Sequence, residues 1–237
     1  MTTQPQNRIL ASLPAPELQA VLQHARHETM AQHAVIYGAG EPIEHVLFPE
    51  RCIVSLIVEL PEGRDIEVAA IGSEGVVGVG GSLSGEHSYA QQRVLVGGAA
   101  HVVRREAFRT LQRRCPRLAA AVNAHRDVFS AQLLQSIACV AAHPAEQRLA
   151  RWLLEMVDRS RTPDIRFTHE ILALIVGVGR PTVTLLLQAL EAARLIKTSR
   201  GLINVLDRNA LAGVACACYR SVKEAYGKAG LVEIQAS

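Results

Sequence analysis

From Arg117 to Ala142, between Pro116 and Pro144, the chain contains neither glycine nor proline. An uninterrupted run of that length in helix-tolerant residues predicts one long helix. Ala119, Val122, Arg126, Phe129, Leu133, Ser136 and Val140 recur at alternating spacings of three and four, the signature of a coiled-coil seam. Arg126 and Ser136 interrupt the stripe, so two arrangements stay open. The helix pairs with a second copy of itself, or it lies against its own domain. The β-rich segment before it is short for covering so long a helix, which favours the pair. On that reading Val122, Arg126, Phe129, Leu133 and Val140 form a dimer interface.

Upstream, the grammar is different. Pro14–Ala31 predicts an amphipathic helix, with Leu18, Val21, Leu22 and Ala25 at helical spacing and Pro14 and Pro16 at its start. From Ala34 to Val103 come short β-rich runs, "AVIY", "HVLF", "IVSLIVEL", "DIEVAAI", "QQRVLV" and "AHVV", separated by Gly- and Pro-bearing turns. Strands at this spacing predict a small β-barrel or sandwich, with "LPEGRD" as a hairpin turn.

Downstream of the His143-Pro144 break, Ala145–Asp158 predicts a helix burying Leu149, Trp152, Leu153 and Met156. Then comes "THEILALIVGVGRPTVTLLLQAL". Thr168 suits an N-cap, Glu170 favours the first-turn dipole, and Ile171 stands where a capping box would want Glu. Ile171, Leu174, Ile175 and Val178 follow one helical face, Gly177 and Gly179 permit a sharp turn, and Pro181 suits the first turn of a second helix. Val183, Leu186, Leu187 and Leu190 make that helix's buried face. Two short helices joined by a Gly-bearing turn predict a helix-turn-helix, although an αα-hairpin inside a core has the same pattern. The hairpin "LIKTSRGLINVL" that follows favours the first reading, because a hairpin there is a wing.

In a helix-turn-helix the second helix enters the major groove N-terminus first. Arg180, Thr182, Thr184, Leu185 and Gln188 are then the base-facing candidates. Arginine can bond both acceptors of a guanine edge, and Leu185 could touch a thymine methyl. Lys197, Ser199 and Arg200 are candidate phosphate contacts, and Thr168 is a further candidate DNA contact. Charge agrees: residues 144–237 carry 13 Lys/Arg against 9 Asp/Glu, whereas residues 1–143 carry 12 against 13.

Hydrophobic residues make up 49% of the chain, enough for a sizeable core. The opening "MTTQPQNRIL" is polar and no window reaches the ~18 uncharged apolar residues of a membrane span, so no membrane association is expected and the cytoplasm is the expected location. The five cysteines, Cys52, Cys115, Cys139, Cys216 and Cys218, are odd in number and scattered, unlike a disulfide framework. Cys216 and Cys218 lack two further thiolates nearby in sequence and read as buried cysteines, with a metal or redox pair as the alternative; no metal site is assigned. His24 and His27, three apart, read as one solvated helix face.

The order of a β-rich module, a long helix and a winged helix-turn-helix resembles the catabolite-activator/FNR (Crp/Fnr) superfamily of bacterial transcription regulators. The resemblance covers roughly residues 12–210 and is most specific in "THEILALIVGVGRPTVTLLLQAL", with "VIYGAGEPIEHVLF" similar to the opening of its cyclic-nucleotide-binding β-roll. It implies an α+β chain with three parts: an effector-type β-roll at 1–115, a dimerisation helix at 116–143 and a DNA-binding domain at 144–237. It further implies a homodimer on an inverted repeat of double-stranded DNA, with RNA polymerase and a small effector as further partners. Where the family's reader has a glutamate after its arginine this chain has Pro181, and a usual later arginine is Leu185, so a different operator is expected. In the effector pocket, Gly78-Val79 and His87-Ser88 stand where the family clamps cyclic AMP with Gly-Glu and Arg-Ser. Valine cannot accept from a ribose hydroxyl and histidine is a poor substitute for a guanidinium, so cyclic AMP is not expected to bind. No cysteine precedes Cys52, so no iron–sulfur cluster is expected either.

Three function classes follow. The first is the DNA-binding regulator, with or without an effector. The second is an enzyme on a cupin-type barrel, disfavoured because the β segment has no His-x-His pair; no catalytic residues are assigned. The third is a module whose helix-turn-helix docks a protein.

Overall fold

The computed structural model describes residues 4–80, 86–160 and 162–231. Two N-terminal helices, α1 (Arg8–Ala11) and α2 (Ala15–His24), lead into seven strands: β1 (Ala25–Met30), β2 (Val35–Tyr37), β3 (His45–Pro49), β4 (Ile53–Glu59), β5 (Asp65–Ile71), β6 (Gln91–Val96) and β7 (Gly98–Arg104). They form two antiparallel sheets, ordered β1-β7-β3 and β2-β6-β4-β5. Leu47 and Val102 from one sheet meet Val54 and Ile71 from the other in the core between them. β4 and β5 are joined by the expected hairpin, where Gly63 takes a φ of 77° that only glycine adopts without strain.

The expected helix Pro14–Ala31 is corrected: it stops at His24. Ala25–Met30 instead pairs residue for residue with β7, from Ala25 opposite Val103 to Met30 opposite Gly98. A local 3.6-residue pattern cannot compete with a full ladder offered by a neighbouring strand. One consequence is that His27 lies opposite His101, and both imidazoles contact Glu50, at 2.9 and 3.2 Å. His24 and His27 therefore do not share a helix face.

Helices α3 (Arg105–Arg114) and α4 (Pro116–Ala142) follow, then α5 (Ala145–Ser160), β8 (Asp164–Arg166), α6 (His169–Val176), α7 (Arg180–Ala192), β9 (Ile196–Ser199), β10 (Leu202–Val205), α8 (Arg208–Val214) and α9 (Cys218–Lys228). At 27 residues, α4 is about 40 Å long. Its N-terminal half packs on its own β-module. Leu118 and Val122 are fully buried, and His125 is 1% exposed, so close to Gly75 that a Cβ there would meet the imidazole at 2.4 Å. Burial lowers the His125 imidazole to about 4, so it is neutral and its packing against Gly75 adds no charge to the core.

The C-terminal part is not a separate lobe. Trp152 Nε1 donates to Glu67 of β5 at 3.1 Å, and Arg159 Nε meets Glu74 at 2.8 Å. α9 runs back along α4: Val222 and Tyr226 join the core of α1, β3 and α3, and the Tyr226 hydroxyl donates to buried Gln132 at 2.8 Å. Between β5, α4, α5 and α6 lies a cavity of about 480 Å3, lined mostly by apolar side chains including Leu133, Ile137, Ile175 and Trp152.

Glu67 borders this cavity. Burial pushes its carboxyl up from 4.5 to about 7, against the hydrogen bonds from Ser55 and Trp152 that favour the charged form. A raised carboxyl binds its proton more tightly folded than unfolded. Its contribution to stability is thus complete below pH 4.5 and is lost as pH rises through about 7. With solvent screening from the cavity, the span is about 1–3 kcal/mol. We expect melting temperatures measured between pH 5 and pH 8 to fall more steeply for the natural chain than for Glu67→Gln; parallel curves would show that the carboxyl is not held this way.

Candidate nucleic-acid interface

The interface is built on a small core of α5, α6, α7 and the β8-β10-β9 sheet. Leu149, Leu153, Leu172, Val183, Leu190 and Leu211 are all at most 1% exposed in it. α6 begins at Thr168, whose hydroxyl accepts from the Ile171 amide at 3.4 Å, so this candidate DNA contact already caps a helix. α6 ends at Gly177 with a φ of 72°, a left-handed C-cap. The pair α6 and α7 bends by 97° across the Val178–Gly179 turn, within the range of a helix-turn-helix.

α6 buries a wider face than one stripe predicts. Leu172 and Val176 are its buried residues, while Ile171, Ile175 and Val178 are only partly covered. The reason is that α6 is gripped on two sides, by α5 and α7 in the C-terminal part and by β5 of the β-module.

α7 presents its N-terminus to solvent. Val183, Leu187 and Leu190 point inward, while Arg180, Thr182 and Gln188 are exposed and Leu185 is 66% exposed. Thr184 is half-buried; its hydroxyl bonds the Arg180 carbonyl at 3.3 Å and lies 3.0 Å from His169 Nδ1, so it braces the turn as well as facing outward. Arg180 reaches Glu170 at 2.9 Å, both side chains mostly exposed. A pair so open to water holds its partners weakly and leaves the guanidinium free to exchange to another acceptor.

The expected wing is β9 and β10, turning at Arg200-Gly201 with Gly201 at φ 73°, and β8 adds a third strand beside β10. Lys197, Ser199 and Arg200 are exposed along it. Thr198 is tied to Glu191 of α7 by two bonds of 2.9 Å, which fixes the wing against the second helix. Thr168, Arg180 and Ser199 line one concavity of about 310 Å3 between the two helices and the wing.

The other expected positions are less united. Val122 is fully buried in its own protomer, so it is corrected as a dimer contact, and Phe129 is partly buried toward the inter-sheet core. Leu133 is half-buried beside the cavity, and Arg126 and Val140 are exposed. The free apolar stripe runs instead through Leu134, Ile137 and Val140, at 69, 69 and 61% exposure. Strict three-four counting from Ala119 follows the inward face first and misses Leu134 and Ile137.

In the expected effector pocket, Gly78 has a φ of 85° with His45 O only 2.6 Å from where a Cβ would stand, and Val79 packs toward the N-terminal core. The Ser88 hydroxyl donates to Ala90 O at 2.7 Å and accepts from Gln92 at 2.9 Å, so it is committed internally. His87 is exposed and lines a cavity of about 650 Å3 with His45 and Arg109 that Gly78, Val79 and Ser88 do not reach among the described residues. The part of this segment at 81–85 lies outside the described residues.

No single helix among the described residues is long and apolar enough to cross a membrane.

Comparison with known proteins agrees with this geometry. A Crp-like helix-turn-helix domain model matches residues 147–214. No curated protein sequence matches the chain significantly. Among solved structures, FixK2 from Bradyrhizobium japonicum is similar at 19% identity and TM-score 0.70, over 81% of this chain and 98% of that one. The c-di-GMP-responsive global regulator CLP from Xanthomonas campestris matches at 17% identity and TM-score 0.68, over 82% and 100%. A transcriptional regulator of the Crp/Fnr family from Eubacterium rectale matches at 17% identity and TM-score 0.64, over 85% and 94%. At these identities the structural likeness is one of fold, and the domain match identifies the helix-turn-helix itself. The chain thus carries a Crp-like helix-turn-helix domain at residues 147–214 within an α+β fold of β-module, long helix and winged helix-turn-helix, a fold it shares with regulators of the Crp/Fnr family.

Proposed function

We propose that the chain works as a homodimer that reads an inverted repeat of double-stranded DNA, α7 of each protomer entering a major groove. The observation that carries this is the N-terminus of α7. Arg180, Thr182, Leu185 and Gln188 stand outward on a helix whose opposite face is locked into a core, beside a wing bearing Lys197 and Arg200. The Leu134–Ile137–Val140 stripe supports pairing through α4, which would set two readers about 34 Å apart, one turn of the duplex. The three parts expected from sequence, 1–115, 116–143 and 144–237, serve as effector module, dimer helix and reader, acting in the cytoplasm on promoters served by RNA polymerase.

Control through the β-module fits the contacts that join it to α5, Glu67 with Trp152 and Glu74 with Arg159. A molecule that changed the β-module would tilt the reader by altering these contacts. Cyclic AMP is a poor candidate, since Val79 and Ser88 are committed inside the protomer. A regulator that needs no effector has the same geometry.

The test is Arg180→Ala on duplexes selected from a random-sequence pool. We expect about 1–3 kcal/mol of lost discrimination at one base pair of each half-site. Lys197→Ala should weaken all sequences alike and lower the salt slope by about 1. Unchanged selection by Arg180→Ala, or affinity indifferent to salt, would overturn the reading in favour of a protein-docking module.

A further inference from the structure

Cys216 and Cys218 have the partners that the sequence order conceals. Cys139 in the last turn of α4, His143 just after it, Cys216 between α8 and α9 and Cys218 at the start of α9 bring one ligand atom each to within 4.8 Å of all the others. Cys139 Sγ lies 3.4 Å from Cys216 Sγ, and Cys218 Sγ lies 3.6 Å from His143 Nδ1. A tetrahedral zinc ion, with Zn–S of about 2.3 Å and Zn–N of about 2.0–2.1 Å, needs sulfur–sulfur edges of about 3.8 Å and sulfur–nitrogen edges of about 3.6 Å. The Cys139–Cys216 and Cys218–His143 edges, at 3.4 and 3.6 Å, stand near those values, and the remaining edges lie within 4.8 Å. Cys139 and His143 are four residues apart, so one face at the end of α4 supplies half the set.

We propose that Cys139, His143, Cys216 and Cys218 form a four-ligand site for a soft divalent cation of the zinc class, clamping the hinge between α4 and the DNA reader. Plain packing of buried thiols would not require an imidazole nitrogen beside them. A Cys139–Cys216 disulfide would need the sulfurs to close to about 2.05 Å and would leave Cys218 and His143 without a role. The surroundings suit a metal thiolate. Gln135 Nε2 donates to Cys218 Sγ at 3.0 Å, the outer-sphere bond such a sulfur takes. A dication with three thiolates carries a net negative charge, and Arg151, whose charge is favoured first by its 3.0 Å partner Glu155 and then by all three cysteines, lies close enough to offset part of it. Its Nε is buried without a hydrogen-bond partner, so a donor is in reserve there.

On binding, the three thiols release their protons to solvent and His143 offers the Nδ1 lone pair, keeping its proton on Nε2. Because binding displaces three thiol protons, affinity should rise with pH. A cation shared by the end of α4 and the start of α9 adds a further link across the His143-Pro144 joint, beside the Tyr226–Gln132 bond. Its effect on DNA rests on the proposed function above; the site itself does not.

The full chain, reduced and stripped with a chelator, would be titrated with zinc and with cobalt(II) as a spectroscopic probe. We expect one equivalent per chain, cobalt–thiolate charge-transfer and tetrahedral bands, and a raised melting temperature. Cys218→Ser should weaken binding at least about 100-fold, more than the loss of an outer-sphere partner. His143→Ala, at a partly exposed position where folding is safer, should also weaken it, and His143→Cys should restore it. Cys52→Ala, remote from the cluster, should bind as the natural chain does. Substoichiometric uptake, unaltered affinity in Cys218→Ser and His143→Ala, or a Cys139–Cys216 disulfide formed in air with no metal response would overturn the site. In a second arm, zinc should change affinity for pool-selected duplexes at least about 10-fold in the natural chain and not in Cys218→Ser. Zinc bound as stated without that change overturns the clamp; zinc bound by a chain that holds no duplex in either state overturns the DNA reading and leaves the site standing.

Discussion

Arg159→Met should cost about 3–5 kcal/mol of stability, because it leaves the Glu74 carboxylate buried without its cation. Arg159 and Glu74 side chains are 8 and 7% exposed, and Arg159 also holds Glu155 at 3.1 Å. Burial alone would raise the Glu74 carboxyl, but the Arg159 guanidinium and the Gly72 amide hold it below the usual range. A carboxyl held low contributes stability above its unfolded value of 4.5 and loses it as pH falls. The gap between Arg159→Met and the natural chain in urea denaturation should therefore be widest near neutrality and shrink in acid. Adding Glu74→Gln removes the orphaned charge and should recover part of the loss. A gap under about 1 kcal/mol at neutral pH would mean that this pair does not secure α5 to the β-module.

The second large effect is at Ile137. Ile137→Glu places a charge in the middle of the free stripe of α4, where a partner helix would have to bury it unpaired. The chain should become monomeric by light scattering. Its affinity for an inverted repeat should fall by about 10²–10⁴, the gain that two linked readers give over one, while the affinity for a single half-site stays. Val122→Ala is the contrasting change. Val122 is fully buried within the protomer, so its loss should lower the melting temperature and leave the dimer intact. A dimeric Ile137→Glu at micromolar concentration would move the interface off this face.

Much of this was legible in one dimension. Each β-rich run between Ala34 and Val103 became a strand, because apolar alternation and Gly/Pro punctuation are local signals. The helix-turn-helix was readable for the same reason. Thr168, Gly177 and Pro181 each mark a helix end by what a single residue's backbone or side chain can do. Outward Arg180 and Leu185 then follow from the phase of Val183, Leu187 and Leu190.

The misses share one cause. Ala25–Met30 looked helical and became a strand because β7, some seventy residues later, offered it a ladder. The phase of α4 was ambiguous, since the helix has two apolar faces and only the position of the β-module tells inward Val122 from outward Ile137. Helix α9 and its return onto Gln132 gave no local sign.

The sequence by itself determined strands β2 to β7, the long helix, the helix-turn-helix and which residues its second helix exposes at its start, since these depend on interactions within about four positions along the chain. Tertiary structure alone decided which face of α4 is free, how Glu67 and Glu74 lock α5 to the β-module, and that Cys139 and His143 meet Cys216 and Cys218. Those contacts join residues about 75 to 85 positions apart, and only the packing of whole elements brings such distant side chains within bonding reach.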